Sequence, residues 1–214
     1  MSSPDPAAAD TTKSKGFHLK TQLVLALALA AAPFAACAND LNYNFIEAGY
    51  VRADIVDESG DGFFAKGSVA FGESFYGHAS YQEATNDDFG FDISLDETVL
   101  GVGYRHPMDT NVDLIAEASY VNLGAEIDVE GFGSDSSDGY RAAVGIRGMM
   151  TPQFEGTLKG YYTEISDLDD GEFGLQVGAV FHINQTWGIV ATYDHTKLLV
   201  ENLNSARIGV RVSF

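Results

Sequence analysis

The chain has 214 residues, 45% of them hydrophobic, with a mean hydropathy of −0.04 and a formal charge of −19 from 12 basic and 31 acidic side chains. That length suits one domain. Beyond the N-terminus no run of about 18 apolar residues exists, which excludes a polytopic helical membrane protein, and so acidic a surface excludes nucleic acid as a partner.

The first segment carries Lys13, Lys15 and Lys20, then an apolar stretch from Leu23 to Ala32, then Pro33-Phe34-Ala35-Ala36-Cys37-Ala38. This layout predicts a secretory signal over residues 1–38, with small residues Ala36 and Ala38 at the cleavage positions. The apolar stretch is too short to anchor the chain across a bilayer. The polar leader from Met1 to His18 is long for such a signal, and translation from near Leu19 would give a more ordinary one. Cys37 is the one cysteine, so no internal disulfide forms. Phe34 to Cys37 loosely resembles a lipoprotein cleavage box, although Phe is a poor first residue there; removal of Cys37 with the signal is the expectation.

From Tyr43 to Phe214 apolar and polar residues alternate with period two, in runs separated by Gly, Asp, Asn, Ser and Pro. That is strand periodicity. It predicts ten strands, near 43–55, 63–71, 75–83, 97–106, 112–123, 139–149, 154–165, 172–183, 187–196 and 205–214, with eight as the alternative count. The connections alternate between short ones (Gly72 to Ser74, Pro107 to Asn111, Met150 to Gln153, Asn184 to Thr186) and longer ones (Val56 to Gly62, Ala84 to Asp96, Gly124 to Asp138, Ser166 to Gly171, Lys197 to Asn204). Outer-membrane barrels place tight turns on the periplasmic side and longer loops outside, with an even strand number.

Each strand sorts into two faces. The eighth sets Phe173, Leu175, Val177, Ala179, Phe181 and Ile183 against Gly174, Gln176, Gly178, Val180 and His182. The last sets Ala206, Ile208, Val210, Val212 and Phe214 against Arg207, Gly209, Arg211 and Ser213. The first sorts less cleanly, because an inward Glu47 sends Arg52 outward, where it would have to snorkel. Such separation needs a different solvent on each face. A soluble calycin-like barrel would show the same alternation with its apolar face inward. The export signal, the turn asymmetry and aromatic residues near strand ends (Phe75, Tyr104, Tyr120, Phe154, Trp187, Phe214) favour the membrane arrangement. So do Gly101, Gly103, Gly145, Gly174 and Gly209, small residues beside long charged ones on the polar face, as a crowded lumen requires. The predicted fold is therefore all-β: a closed antiparallel up-and-down transmembrane barrel over residues 39–214.

Three segments carry a family resemblance: Tyr43-Asn44-Phe45-Ile46-Glu47-Ala48-Gly49-Tyr50, Gly101-Val102-Gly103-Tyr104-Arg105-His106 and Gly209-Val210-Arg211-Val212-Ser213-Phe214. With them the chain resembles the small outer-membrane β-barrel proteins of plant-associated gamma-proteobacteria, discussed as activators of plant immunity and as regulated by quorum signals. Their plan is similar to OmpA and OmpX. The resemblance implies an outer-membrane location and a barrel fold; it carries over no catalytic residue.

On this face assignment Lys66, Arg105, Arg141, Arg147, Lys159, Arg207 and Arg211 point into the lumen. Glu47, Asp113, Glu117, Glu155 and Asp194 meet them there, joined by His78, Gln82, Gln176 and His182. Buried charges persist only when paired and hydrogen-bonded, so the expectation is a charged plug; the alternative is a narrow passive porin-like channel lined by the same charges. Ile208, Val210, Val212 and Phe214 are the expected C-terminal signal for the barrel-assembly machinery. The acidic loops, with Asp57, Glu58, Asp61, Asp87, Asp88, Asp92, Asp96, Glu126, Asp128, Glu130, Asp167, Asp169 and Asp170, would attract divalent cations loosely, shared with lipopolysaccharide. Asp57 to Gly62 lacks the spacing and terminal Glu of a calcium loop, and no metal site or cofactor is predicted. Asp194 and His195 are adjacent in a strand and face opposite ways, so they form no acid–base dyad. No phosphate loop or nucleophile elbow appears, and no enzymatic activity is expected. The expected role is structural and surface-interacting, through acidic extracellular loops.

Overall fold

A computed structural model describes residues 41–55, 58–86, 93–127, 134–166, 171–198 and 201–214. The predicted signal segment up to Ala38, with Cys37, lies outside them. All regular structure among these residues is strand: β1 (Phe45–Ile55), β2 (Glu58–Phe71), β3 (Phe75–Asn86), β4 (Ile93–Asp109), β5 (Val112–Ile127), β6 (Ser134–Thr151), β7 (Phe154–Ile165), β8 (Glu172–His182), β9 (Trp187–Leu198) and β10 (Glu201–Ser213). Each strand pairs antiparallel with its neighbours in sequence, and β10 pairs back on β1, closing a ten-stranded barrel. Closure leaves no edge strand with unpaired backbone groups, which a hydrocarbon solvent would penalise heavily.

All ten predicted strands are present, but several run further than the alternation suggested. β2 begins at Glu58 instead of residue 63, β4 at Ile93 instead of 97, β6 at Ser134 instead of 139 and β10 at Glu201 instead of 205. Much of what the sequence suggested as long loops is therefore hairpin ladder, for example Asn86 opposite Ile93 and Glu126 opposite Ser134. The physical reason is that polar residues stand on both faces there, as from Ser134 to Asp138. Backbone pairing continues while side-chain alternation, the signal used to find strands, disappears. At the opposite end Pro107 lies within β4, where the ladder shifts register between Pro107 and Asp109, and a second shift falls between Met149 and Thr151. In the β2–β3 turn Gly72 takes φ of 67°, a conformation open to glycine at little cost.

The apolar faces point outward. Phe173, Leu175, Val177, Phe181 and Ile183 are all exposed, as are Ile208 and Val210 on β10 and Val144 and Ile146 on β6. From Phe173 to Ile183 the chain advances ten residues, about 34 Å at about 3.4 Å per residue. Tilted by about 40°, that spans the roughly 25 Å apolar band of an outer-membrane barrel. Aromatic residues bound this band at both ends. The turn end carries the stacked pair Phe71–Phe75, with Tyr104 beside Phe75 at 5.3 Å, and exposed Phe154, Phe181 and Trp187. The loop end is rich in tyrosine: Tyr120 meets Tyr140 edge-on and Tyr162 packs on Phe173. Tyr50 donates to Asp61, Tyr120 to Asp138, and Tyr193 to Asn204 at 2.8 Å. Such rings sit well at a boundary where the body is greasy and the hydroxyl wet.

Val177 lies mid-strand on the outer face with 47% of its surface exposed. Replacing it with arginine is expected to destabilise the folded barrel in lipid by about 2–4 kcal/mol, read from denaturant unfolding in vesicles. A change below about 0.5 kcal/mol would mean that this face meets water.

The candidate functional site: a layered lumen

The inner faces are polar, and their side chains meet across the bore in layers. In the lowest layer, at the turn end, Glu155 of β7 is 1% exposed. It accepts from Arg147 Nε at 2.8 Å and Nη2 at 3.0 Å, and from Arg211 Nη1 at 3.0 Å. His182 Nε2 lies 3.3 Å from the same carboxylate. Arg211 Nε in turn donates to Glu47 at 2.7 Å. Register explains part of this: Glu47 and Arg211 are opposite partners on β1 and β10. The Glu155 to Arg211 contact joins β7 to β10, strands that are not neighbours, so it crosses the lumen. Two arginines against two carboxylates make a neutral, bidentate-rich layer, the geometry in which buried charges are tolerated.

This layer rests on the segment that precedes β1. Leu41 and Tyr43 are buried and pack with Tyr76 and Ile115. The Tyr43 hydroxyl donates to Asp113 at 2.9 Å, and the Arg147 guanidinium lies 4.4 Å from its ring centre. Phe45 supports Arg211 at 4.1 Å in the same way. Asn42 donates to the Phe214 carbonyl, the Phe214 amide donates to the Asn44 carbonyl, and Asn44 Oδ1 accepts from the Ala70 amide at 2.8 Å. Residues 41–45 are thus seated in the turn-side mouth by contacts to β2, β5, β6 and the C-terminus.

The next layer joins Lys159 to Glu117 at 3.0 Å, with Tyr76 donating to Glu117 at 2.8 Å and His78 Nε2 3.3 Å from Ser119 Oγ. Nearest the loop end, Arg141 donates to Glu97 at 2.7 Å and to Thr163 Oγ1 at 2.8 Å, while Arg207 pairs with Asp194, which also accepts from Gln176 at 2.7 Å. Arg105 lies 3.7 Å from Asp113. The inner face must be small where rings cross it. A Cβ on Gly103 would lie 2.1 Å from the Tyr76 ring, and one on Gly174 2.2 Å from that of Tyr161.

Two cavities lie between these side chains. A lower one of about 50 Å³ lies among Tyr43, Glu47, Tyr76, Arg147 and Arg211. An upper one of about 470 Å³ runs toward the loop end, lined by Val51, Val99, Leu123, Tyr161, Glu97, Arg141 and Arg207 among others. Lys66, His78, Glu117, Lys159 and Gln176 line both, so they form the partition between them. The upper cavity is a vestibule with a charged floor; below it the interlocked side chains leave only the small lower cavity of about 50 Å³ on this line.

All twelve side chains expected in the lumen network are on inner faces. Six of the seven cations have a carboxylate within 4.0 Å; among the described residues Lys66 has none, and its ammonium instead lies 5.7 Å from the Phe45 ring centre. The sequence reading missed Glu97, the partner of Arg141, and the stopper residues Leu41, Tyr43 and Phe45. Both were within reach of parity: Glu97 shares a face with Gly101, Gly103 and Arg105, and Tyr43 and Phe45 share one with Glu47. Asp194 and His195 diverge as expected, Asp194 into the Arg207 layer and His195 Nδ1 to Asn204 at 2.8 Å. Of the acidic loop residues, Asp57, Asp87, Asp88, Asp92, Asp128, Glu130, Asp167, Asp169 and Asp170 lie outside the described residues. Among the described residues no three His, Cys, Asp or Glu side chains gather as a metal site would require.

No protein-family model matches the chain, and no curated protein sequence matches it significantly. Solved structures do. The NanC porin aligns with a TM-score of 0.50 at 10% identity, over 79% of this chain and all of that one. Ail of Yersinia pestis, solved with the heparin analogue sucrose octasulfate, aligns at 0.44 and 14% identity over 80% of this chain and 97% of its own. Neisserial surface protein A aligns at 0.42 and 17% over 79% and 95%. These neighbours are small outer-membrane barrels, and at such identities the likeness concerns fold alone. The chain folds as a closed, ten-stranded, antiparallel up-and-down β-barrel of the outer-membrane kind.

Proposed function

We propose that the protein is exported, its signal removed after about Ala38, and sits in the outer membrane as a sealed barrel whose role is structural and surface-interacting. The observation that carries this reading is the obstructed turn-side half of the lumen, where Arg147, Glu155, Arg211 and Glu47 interlock above the seated Tyr43 and Phe45. A solute crossing the barrel would have to break this layer, exposing buried charges without partners. With the lumen closed, the surface left for interaction is the loop end. There Asp61, Glu83, Asp96, Glu126, Asp135 and Asp138 extend the acidic character of the loops. Partners of that end are lipopolysaccharide and the divalent cations that bridge carboxylates to it. The barrel-assembly machinery would read Ile208, Val210, Val212 and Phe214 during insertion. No residue of the lumen is assigned a catalytic role. The resemblance to the barrels of plant-associated bacteria rests on the three strand motifs and adds a context of contact with a host.

Planar-bilayer recording tests the sealed lumen. Folded, heat-modifiable protein is expected to give no discrete openings; reproducible unitary channels from the unaltered protein would replace this reading with that of a narrow passive pore.

A further inference from the structure

The upper vestibule has a feature that the sealed-barrel reading leaves unused. Every inward cation in the described lumen is matched to a carboxylate except Lys66, and Lys66 stands in the partition that forms the vestibule floor. Its carboxylate neighbours, Glu117 and Glu47 (the latter directly opposite it on β1), are each bonded to another cation. Glu117 is held by Lys159 and Tyr76, and Glu47 by Arg211.

One strip of the wall that rises from this floor is apolar, while the rest is polar and carries Asp54, Asp96, Glu97 and Asp194. Following paired residues around the barrel, Lys66 is opposite Ser80, Ser80 opposite Val99, Val99 opposite Val121, Val121 opposite Gly139, and Gly139 opposite Ile165. Because the strands tilt, such a row climbs the barrel. It begins at the partition and ends at Ile165, the last residue of β7 at the loop end. Val99, Val121 and Ile165 pack together on the inner side, with Leu123 against them. A polar lumen that served only to bury charge pairs would have no need of an aliphatic cluster facing a space of about 470 Å³. That volume falls in the range of about 300–1,000 Å³ typical of small-molecule sites, which combine apolar walls with a few fixed polar groups.

We infer that the vestibule is a binding site for a small amphiphilic monocarboxylate, entering from the loop end, its carboxylate on Lys66 and its hydrocarbon body along Val99, Leu123 and Ile165. The carboxylate supplies the one charge the floor lacks, with the Ser80 hydroxyl and the Gln176 amide, both lining the cavity, as further donors. A ligand with the charge but no body, or the body but no charge, satisfies only half of the site. Binding here is independent of conduction: it requires the vestibule, not a path through the lower lumen, so bilayer recording and ligand titration fail separately.

Calorimetric titration of the folded barrel in non-ionic detergent, with protein-free micelles subtracted, uses hexanoate, hexanol and acetate as probes. Hexanoate is expected to bind saturably at one equivalent, at least tenfold more tightly than either hexanol or acetate. Lys66→Met is expected to weaken hexanoate at least tenfold while Lys66→Arg retains it, both variants remaining heat-modifiable. Val99→Thr is expected to weaken hexanoate severalfold and leave acetate unchanged. Absence of saturable hexanoate binding would overturn the inference, as would equal affinity for acetate, or full hexanoate affinity in folded Lys66→Met.

Discussion

Replacing Glu155 by alanine is expected to destabilise the folded barrel by about 3–5 kcal/mol, the cost of leaving a buried ionic network without one partner. Glu155 is the shared acceptor for Arg147 and Arg211, and its carboxylate is almost fully buried. Its loss strands Arg147, whose other polar contact is the Asn42 carbonyl at 2.8 Å, and leaves Arg211 with Glu47 alone. Urea unfolding in vesicles, followed by the shift in electrophoretic mobility on heating, provides the measurement. The comparison that separates charge from packing is the quadruple replacement of Glu155, Glu47, Arg147 and Arg211 by neutral residues of similar size. It is expected to recover much of the loss, because no charge is then left unmatched. A single variant as stable as the parent would show that water already solvates this layer, and the sealed lumen would be lost with it.

The second large effect concerns the stopper. Leu41→Ala with Tyr43→Ala removes the two side chains that pack on Tyr76 and Ile115, and with them the support for Arg147 and the hydroxyl held by Asp113. Large-to-small changes at buried positions cost about 2–5 kcal/mol each where the site cannot collapse. Here the ladders of β1 with β2 and β10 hold the wall in place, so the space opened is more readily filled by water than by relaxation. The expected result is a change from electrical silence to discrete openings in planar bilayers, with the barrel still heat-modifiable. Openings equal in parent and variant, or silence in both with the stopper demonstrably displaced, would show that closure does not depend on residues 41–45.

The two variants probe different parts of one design. The cross-lumen ion pairs join strands that are not neighbours, β7 to β10, β5 to β7 and β4 to β6, and so brace the barrel where its hydrogen-bond ladder cannot. The stopper seals the one end where the ion pairs alone would leave a gap. Above both lies the vestibule, whose single unmatched ammonium is the natural place for a ligand rather than for further bracing.

How much of this was legible beforehand follows from period two. Alternation in β8 and β10 assigned Leu175 and Val210 to one solvent and Arg211 to the other, and parity alone put all seven cations of the lumen on inner faces. Strand number and chain order were equally accessible, because tight turns rich in Gly, Asp and Asn mark where each hairpin reverses. The ends of the strands were not. Above the apolar band Glu58 to Gly62 and Ser134 to Asp138 carry no alternation, yet they pair in register with β1 and β5, since backbone hydrogen bonds ignore side-chain polarity.

The sequence by itself, then, determined the fold class, the two faces and the identity of the charges between them, because each of these depends only on residue type and on position within a two-residue repeat. Which charges meet was decided by the tertiary structure. Glu155 reaches Arg211, and Arg141 reaches Glu97, across a bore whose closure and strand stagger bring together side chains on strands that are not adjacent. Closure also turned an unremarkable pre-strand segment into a stopper and, among the described residues, left Lys66 at the floor of a cavity with no carboxylate within ion-pair distance, since both depend on distances across the tube that no local pattern encodes.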